Sequence, residues 1–327
     1  MITAAVTGGA GFLGSNVARR LLDKGYKVNI IDDFSSGFIE NLRDLQIKQD
    51  CVVGDLKDYE FARKSLRGVE SLFHFAADIG NVVYLHGTNA RLLHALQTNL
   101  IIDANVFRAC LENKVRRIIY ASSVSVYPID EQQGKHVEFK EEDFERKVNP
   151  EGGYGWSKYI AEKQLELMAP EISAGIARIF HAYGKNIYLK EDRSQVIGSL
   201  LRKTIRYPAE GFEIWGNGHQ KRCFVYIDDA LDALFKLYDY IERNGNLTVN
   251  VGSREEIDVT SLATRIINLS GKKISPKYDL FKPTGALNRM PNLDRVSRVL
   301  GWSPSTDFAK GLQKTYEWAD RRLSEWN

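Results

Sequence analysis

A short apolar strand at the start of the sequence runs directly into a glycine-rich turn, and this junction constrains the fold more than any other feature. The turn reads TGGAGFLG over residues 7–14, and a helical pattern follows it. Glycines at this spacing let backbone amides approach phosphate oxygens, and the following helix points its positive dipole end at them. A purely steric turn is the alternative. The pattern predicts a site for a dinucleotide pyrophosphate, formed by Gly8, Gly11, Phe12, Leu13 and Gly14.

Two acidic residues follow the second predicted strand, which covers residues 27–31. In a dinucleotide-binding fold, a carboxylate at this strand end accepts hydrogen bonds from the hydroxyls of the adenosine ribose. Asp32 is therefore the predicted ribose ligand. A carboxylate there repels a 2′-phosphate, because both groups are negative. The predicted cofactor is NAD rather than NADP.

Composition excludes several other kinds of protein. The 327 residues are 43% hydrophobic, enough to bury a sizeable core in one large or two modest domains. The net charge of +3, without a block of Lys and Arg, argues against nucleic acid as a partner. The chain enters a strand at once and has no apolar run of about 18 residues, which argues against secretion and a membrane span. Cys51, Cys110 and Cys223 lie far apart without zinc-site spacing, which predicts reduced thiols in a cytoplasmic protein and no metal centre.

Segments rich in β-branched residues alternate along the chain with amphipathic helical segments. This alternation predicts an α/β fold with a doubly wound parallel sheet, whose strands share one carboxyl edge. After residue 180 the predicted strands become shorter, and Gly and Pro more frequent. Residues 1–180, with 223–252, are expected to form a Rossmann-type NAD domain, and residues 181–222 and 253–327 a smaller α+β lobe that binds substrate. The candidate strands cover residues 4–7, 27–32, 50–53, 71–75, 116–121, 175–180, 224–227 and 249–251.

Further candidate residues follow the third and fourth predicted strands. Asp55, with Leu56 beside it, is placed where a carboxylate can accept a hydrogen bond from the adenine amino group. Ala76 and Ala77 follow the next strand, and their small side chains leave room for a cofactor. Because the carboxyl ends of parallel strands meet at one edge, all these residues are expected to line one ligand site.

A tyrosine and a lysine four residues apart open a later helix. Tyr154 and Lys158 share one helical face, so the ammonium can lie beside the phenol. The ordinary pKa of tyrosine is about 10. A nearby Lys, together with the positive nicotinamide, is expected to lower this pKa enough for the phenol to act as a base near neutral pH. Alone, the spacing also fits a ring packed on a lysine stem; with the glycine turn and Asp32 it predicts a catalytic pair.

These motifs together resemble the extended short-chain dehydrogenase/reductases, the nucleotide-sugar epimerase and dehydratase family, over nearly the whole chain. The resemblance implies that Ser123 binds the reacting sugar oxygen, that Tyr154 exchanges its proton, and that Lys158 holds the nicotinamide ribose. Residues 178–184 are similar to the family's RxFNxYG motif, except that His181 replaces the usual Asn. This histidine is either a contact to sugar or phosphate or a buried core residue.

The second half of the chain is most similar to the GDP-mannose 3,5-epimerase branch, through residues 212–222, 224–229 and 300–302. The likeness implies that Gln220, Arg222 and Arg289 hold the nucleotide diphosphate, with Lys203 nearby. Guanidinium groups form bidentate, charge-assisted bonds to phosphate oxygens, which agrees with this role. For any one of the arginines, a surface charge is the alternative. Gly80, in the similar segment 76–80, is a further expected substrate contact.

Two substitutions separate the chain from that branch. A 3,5-epimerase has a Cys and a Lys that transfer protons at the carbons beside C4, and Ser125 and Gln195 stand there in this sequence. A serine hydroxyl needs an activating base and an amide does not titrate. Lys185 or Lys190 can substitute only if the loop follows a different path. Oxidation at C4 by NAD is therefore expected to be kept and the two flanking proton transfers to be lost.

The favoured function is thus an NAD-dependent 4-epimerase acting on a GDP-mannose-type or UDP-hexose substrate. Three alternatives remain open: a 4-dehydrogenase that releases a 4-keto sugar, a GDP-mannose 3,5-epimerase-like enzyme, and a non-catalytic NAD-binding sensor. The family resemblance also implies a homodimer through the helices predicted at residues 90–113 and 154–169. The apolar stripes of these helices fit an ordinary core equally well.

Overall fold

A central parallel sheet organises the computed structural model, which describes residues 2–43, 45, 51–134 and 137–326. Within these residues the sheet has seven strands in the order β12-β7-β5-β4-β1-β2-β3, and every neighbouring pair is parallel. The strand order reverses between β1 and β4, which places a ligand crevice at their carboxyl ends. The strands of this sheet are β1 Thr3–Thr7, β2 Lys27–Asp32, β3 Cys51–Val53, β4 Ser71–His74, β5 Arg117–Ser123, β7 Ser173–Ile179 and β12 Leu247–Val251.

Short strand pairs lie outside the central sheet. Each pair has two or three residues per strand. The pairs are β6 Glu138–Phe139 with β15 Met290–Pro291, β8 Ala182–Tyr183 with β11 Val225–Tyr226, β9 Glu213–Trp215 with β14 Lys277–Asp279, and β10 Lys221–Cys223 with β13 Glu256–Asp258.

Helices cover both faces of the central sheet. Three further helices, α7, α9 and α11, pack on one another. The helices are α1 Phe12–Asp23, α2 Tyr59–Ser65, α3 Val82–His86, α4 Asn89–Glu112, α5 Asp143–Arg146, α6 Gly152–Leu167, α7 Val196–Arg206, α8 Ile227–Asn244, α9 Val259–Ser270, α10 Asp294–Leu300 and α11 Phe308–Glu325.

Alternation of side chains along the strands produces two hydrophobic cores. Ala4 and Val6 of β1 pack on one face of the sheet, in the same core as Leu234 of α8. Ala5, between them in the chain, packs on the other face with Leu165 of α6. Both faces are therefore buried, which is why the strands are apolar along their whole length. The predicted doubly wound α/β fold is confirmed.

The second half of the chain departs from the sequence prediction in one place. Residues 249–251 lie in β12, which pairs with β7 and completes the central sheet. The strand predicted at residues 224–227 is shorter, since only Val225–Tyr226 is extended, and it pairs with β8 outside that sheet. Ile227 already begins α8. The predicted strand at residues 50–53 is observed from Cys51, because residue 50 lies outside the described residues.

Candidate active site

One large cavity follows the carboxyl edge of the sheet from the glycine turn to β9. Its volume is about 1410 Å³, above the 300–1,000 Å³ typical of a site for one drug-sized ligand. Every residue assigned above to cofactor, catalysis or substrate lines its wall. The cavity therefore has room for two ligands side by side, such as a dinucleotide and a second nucleotide compound.

The glycine turn leaves no space for side chains where it packs against the end of β4 and against the start of α1. Gly8 has a φ of +63°, and a Cβ there would lie 2.8 Å from the amide nitrogen of Ala76. A Cβ on Gly14 would lie 2.1 Å from the carbonyl oxygen of Gly8. Helix α1 begins at Phe12, so its first amides open onto the cavity. Backbone donors without side chains in front of them fit a pyrophosphate group.

The acidic residues at the next two strand ends accept hydrogen bonds from backbone amides. The Asp32 carboxylate accepts hydrogen bonds from the amides of Ala10, at 2.9 Å, and Phe34, at 2.8 Å. Burial raises the pKa of Asp32, and these two bonds oppose the rise. Asp55 accepts from the amide of Lys57 at 2.8 Å. Each carboxylate has two oxygens, so both keep lone pairs for ribose and adenine.

Ser123, Tyr154 and Lys158 share one buried corner of the cavity. Ser123 ends β5, and its hydroxyl is hydrogen-bonded to the phenol of Tyr154 in the first turn of α6. Lys158 lies one turn further along α6, with its ammonium 5.8 Å from the centre of the Tyr154 ring and 4.3 Å from that of Tyr120. The three residues come together because β5 ends at the edge where α6 begins. A proton carrier, a hydroxyl and a cation thus converge on one point.

Burial dominates the electrostatics of this corner. It raises the pKa of Tyr154 well above the usual range, although the hydrogen bond with Ser123 lowers it. Burial also lowers the pKa of Lys158, against the attraction of Asp103 and Glu162. In the protein alone the phenol is therefore protonated, and Lys158 is not among the main groups that shift its pKa. The expectation concerned Lys158 together with the nicotinamide, and it stays a prediction. The positive charge of the nicotinamide is the remaining group that would lower it.

Glu151, three residues before Tyr154, is a cavity residue that the sequence analysis missed. Its carboxylate accepts a hydrogen bond from the Ser125 hydroxyl at 2.9 Å and contacts His86 Nε2 at 2.7 Å and the Arg289 guanidinium. Burial would raise the pKa of Glu151, but Arg289 and His86 hold it well below its usual range. An acidic residue before a helix is ordinary, and no sequence signal brings His86, 65 residues away, to the same place.

Arg222 is a buried cation in the wall of the cavity. Its guanidinium donates to the carbonyl oxygens of Lys221, at 2.7 Å, and Thr284, at 3.5 Å, and pairs with no carboxylate among the described residues. Burial and the charge of Arg289 lower the pKa of Arg222 to about 9. Arg289 donates from Nε to Gln132 and from Nη2 to Glu151, so part of its guanidinium is already engaged. Its contact with a diphosphate stays a prediction. Of these two arginines, Arg222 is therefore the one whose charge is free to bind an anion in the cavity.

Three other predicted substrate residues lie near these arginines. His181 has a φ of +53° and a buried Nδ1 without a partner in the described chain, and burial with the charges of Arg222 and Arg289 lowers its pKa well below the usual range. Gln220 likewise has a buried Oε1 without a partner. Lys203 donates to the carbonyl of Glu213 at 2.8 Å. His181 is thus neutral and lines the cavity. His181 Nδ1 and Gln220 Oε1 remain available to form a hydrogen bond with a ligand.

The loop before α7 brings Gln195 to the cavity, and the two lysines considered as its substitutes lie elsewhere. Gln195 lies at the N-terminus of α7 and lines the cavity. Lys185 and Lys190 are not among the described residues that line the cavity. The Lys190 ammonium lies 4.8 Å from the Phe38 ring centre, beside a smaller groove. Neither lysine therefore substitutes for the missing base. Gly80 lines the cavity against the ring of Tyr84, where a Cβ would lie 2.6 Å away.

Comparisons with known proteins point in the same direction. The family described as "NAD dependent epimerase/dehydratase family" matches residues 4–252. The GDP-mannose 3,5-epimerase of Arabidopsis thaliana is 28% identical over 324 residues, which cover 98% of this chain and 83% of that protein. The UDP-glucose 4-epimerase of Thermotoga maritima, solved with UDP-glucose, has a TM-score of 0.85 at 25% identity and covers 98% of this chain and 100% of its own. MoeE5 in complex with UDP-glucose and NAD has a TM-score of 0.80 at 26% identity, covering 98% and 99%.

Proposed function

Because the chain belongs to the NAD dependent epimerase/dehydratase family, we propose that this NAD-dependent enzyme is a nucleotide-sugar 4-epimerase that oxidises the sugar at C4. The observation that carries the proposal is the buried corner of Ser123, Tyr154 and Lys158, which opens onto the same cavity as the glycine turn. A hydroxyl, a phenol and an ammonium at one point are the groups that removal of a hydride and a proton from a secondary alcohol requires.

The reaction begins when Ser123 binds the O4 hydroxyl and Tyr154 removes its proton. NAD, when bound, would supply the acceptor for the hydride that leaves C4 and the donor that returns it. Lys158 would bind the nicotinamide ribose and keep a positive charge near the phenol. Once the 4-keto sugar has turned in the cavity, Tyr154 would return the proton to O4 as the hydride comes back on the other face. Atoms and electrons balance without a further reactant.

Arg222 supports a nucleotide diphosphate as the part of the substrate that anchors it. Its guanidinium is buried without a carboxylate partner among the described residues, and an unpaired buried charge is costly until an anion compensates it. Gln220 and Lys203 lie on the same side of the cavity. Diphosphate oxygens satisfy all three groups. Both GDP and UDP sugars carry this diphosphate, and the base is left open.

The groups beside C4 support 4-epimerisation over 3,5-epimerisation. Ser125 does have the carboxylate partner that a serine base would need, Glu151. Arg289 and His86, however, lower the pKa of Glu151 well below its usual range, which makes it a weak base for a C–H proton. Gln195 does not titrate. A GDP-mannose 3,5-epimerase-like reaction is therefore the less favoured candidate.

One experiment separates these functions. The purified protein is incubated with GDP- and UDP-hexoses in deuterated water, and the sugar is followed by NMR together with NADH absorbance. We expect inversion at C4 with no deuterium on the ring carbons. Deuterium at a carbon beside C4 would indicate 3,5-epimerisation, and a free 4-keto sugar with accumulating NADH a 4-dehydrogenase. The absence of any change with every donor would favour a sensor and contradict the proposal.

The cofactor assignment is tested at the end of β2. Asp32→Asn replaces a charged acceptor of the ribose hydroxyls by a neutral one, so we expect NAD affinity to fall about 10-fold, since hydrogen bonds to a charged group contribute about 1.5–3 kcal/mol. Asp33→Asn is the matched control, because Asp33 is exposed and its carboxylate accepts only from the nearby amide of Ser35 in the described contacts. Isothermal titration should show that the control variant binds NAD with the affinity of the wild type. Equal losses in both variants would remove Asp32 from the ribose site.

Domain division and assembly complete the proposal. Residues 1–180 with 223–252 would hold NAD, and the remaining segments the nucleotide sugar. Helices α4 and α6 pack side by side and expose Leu93, Ile101 and Leu167, which supports a homodimer through these helices. No helix of the described chain is both long and apolar enough to span a bilayer. We propose a cytoplasmic location, because Cys51, Cys110 and Cys223 are free thiols of the kind that a reducing compartment keeps. A sedimentation velocity run would show whether the protein is a dimer.

A further inference from the structure

A chain of buried polar side chains below the catalytic corner takes no part in the reaction proposed above. It links β1, β4, α4, β5 and α6 through Thr7, His74, Asp103, Tyr120 and Lys158. All five side chains are at most 2% exposed. Asp103 lies at its centre, on the long helix that the sequence analysis considered only as a surface for dimerisation.

His74 links Thr7 to Asp103 through its two ring nitrogens. The Thr7 hydroxyl lies 2.5 Å from His74 Nδ1, and its oxygen also accepts from the amides of Phe75, at 3.2 Å, and Ala76, at 3.4 Å. We therefore assign the hydroxyl as the donor to Nδ1, which leaves Nε2–H to donate to Asp103 at 2.9 Å. In this assignment His74 orients Asp103 and leaves the charge of the carboxylate in place.

Tyr120 connects the carboxylate to the catalytic lysine. Its hydroxyl donates to the second oxygen of Asp103 at 3.1 Å. The face of its ring lies 4.3 Å from the Lys158 ammonium, which is a cation–π contact. Neither partner of Asp103 is a permanent cation. The ammonium of Lys158 is thus the positive charge that faces this carboxylate across the ring of Tyr120.

The other acidic groups near the corner already have cationic partners. Glu162, one turn after Lys158 on α6, forms a bidentate ion pair with Arg178. Glu151, near Tyr154, is paired with Arg289. Of the carboxylates that act on Lys158 or Tyr154, Asp103 is the one whose described hydrogen-bond partners are neutral. An uncompensated buried carboxylate is costly, so its charge is balanced by Lys158.

We propose that Asp103 is a positioning residue for the catalytic corner: its buried carboxylate, oriented by His74, is the counter-charge that keeps Lys158 protonated and sets the pH range of the reaction. The charge of Asp103 raises the pKa of Lys158 against burial, and it also raises the pKa of Tyr154. Both groups therefore lose their protons at lower pH when this charge is removed. The two limbs of the pH profile move in the same direction.

The test measures hydride transfer in Asp103→Asn as a function of pH. Without the carboxylate, the acidic limb, which reports proton loss from Tyr154, and the alkaline limb, which reports proton loss from Lys158, both move to lower pH. On the alkaline side the rate falls about tenfold for each pH unit of displacement. Tyr120→Phe is the matched control, because it removes a hydrogen bond to the same carboxylate and keeps the charge. Its profile should stay in place. A profile of Asp103→Asn that is lower at every pH but not displaced would mean a structural role only and would overturn the proposal.

A second measurement needs no turnover, whereas the pH profile rests on the proposed function. Lys158→Met leaves Asp103 buried without its counter-charge, so the urea midpoint at neutral pH should fall. Adding Asp103→Asn to Lys158→Met should raise the midpoint again, above that of Lys158→Met alone. Independent, additive effects of the two substitutions would contradict the pairing of these charges. Absence of turnover in the wild type with every donor would count against the proposed function, and the unfolding cycle would still decide the role of Asp103.

Discussion

Replacing Tyr154 by Phe should lower the turnover rate roughly 10² to 10⁴-fold, the usual contribution of a general acid/base group, while the protein still binds NAD. The phenol oxygen is hydrogen-bonded to Ser123 at the corner of the cavity and is the proposed carrier of the O4 proton. Phenylalanine keeps the ring and its packing but cannot carry a proton. Single-turnover reduction of bound NAD, followed by its absorbance after mixing with substrate, measures the chemical step directly.

The control for this variant is Tyr183→Phe. Tyr183 is also buried, and its hydroxyl donates to the carbonyl of Phe308 at 3.3 Å outside the cavity. We expect this loss of one buried hydroxyl to cost some stability and leave the rate within a few-fold of wild type. Turnover that survives in Tyr154→Phe, with NAD still bound, would remove Tyr154 from the mechanism.

Replacing Arg222 by Met should weaken nucleotide-sugar binding by about 10- to 150-fold, the value of hydrogen bonds to a charged group at 1.5–3 kcal/mol. NAD affinity should not change, because Arg222 lies on the substrate side. In the free protein the guanidinium is buried without a carboxylate, so its removal should also raise the thermal midpoint. Isothermal titration and calorimetric unfolding of the same variant measure the two effects.

The combination of weaker binding and higher stability distinguishes a binding cation from a structural one. Arg178, buried against Glu162 and the Tyr127 hydroxyl, is the contrasting case: Arg178→Met leaves a buried carboxylate unpaired and should lower the midpoint. If Arg222→Met lost stability as Arg178→Met does, or weakened NAD and nucleotide sugar equally, Arg222 would not be the anchor for the diphosphate.

The residues that the sequence could identify are those that follow strands. Gly8, Asp32, Asp55, Ala76 and Ser123 each come at or just after the end of a parallel strand, and all line one cavity because such ends share an edge of the sheet. The spacing of Tyr154 and Lys158 could be read because one helical face holds both residues. Short-range geometry and sheet topology together therefore sufficed to place these residues around one cavity; their roles stay predictions.

The features that the sequence analysis missed depend on burial and on contacts between distant segments. Spacing alone could not show that burial would raise the pKa of Tyr154, because the path of α6 against β5 sets its exposure. Glu151 and Asp103 stand in ordinary helical contexts, and only the fold brings His86 and His74 to them. In the same way, the strand predicted at residues 224–227 is apolar enough for the central sheet, but its partner is β8.

The most direct test of the central claim is the fate of the hydrogen at C4. The enzyme is given a nucleotide hexose that carries deuterium at C4, in ordinary water, and the product is examined by NMR and mass spectrometry. Removal and return of the same hydride through bound NAD predicts a product inverted at C4 that keeps its deuterium there, with a slowed rate for the labelled substrate. Inversion with loss of the deuterium to water, or a product changed only at another carbon, would contradict the account.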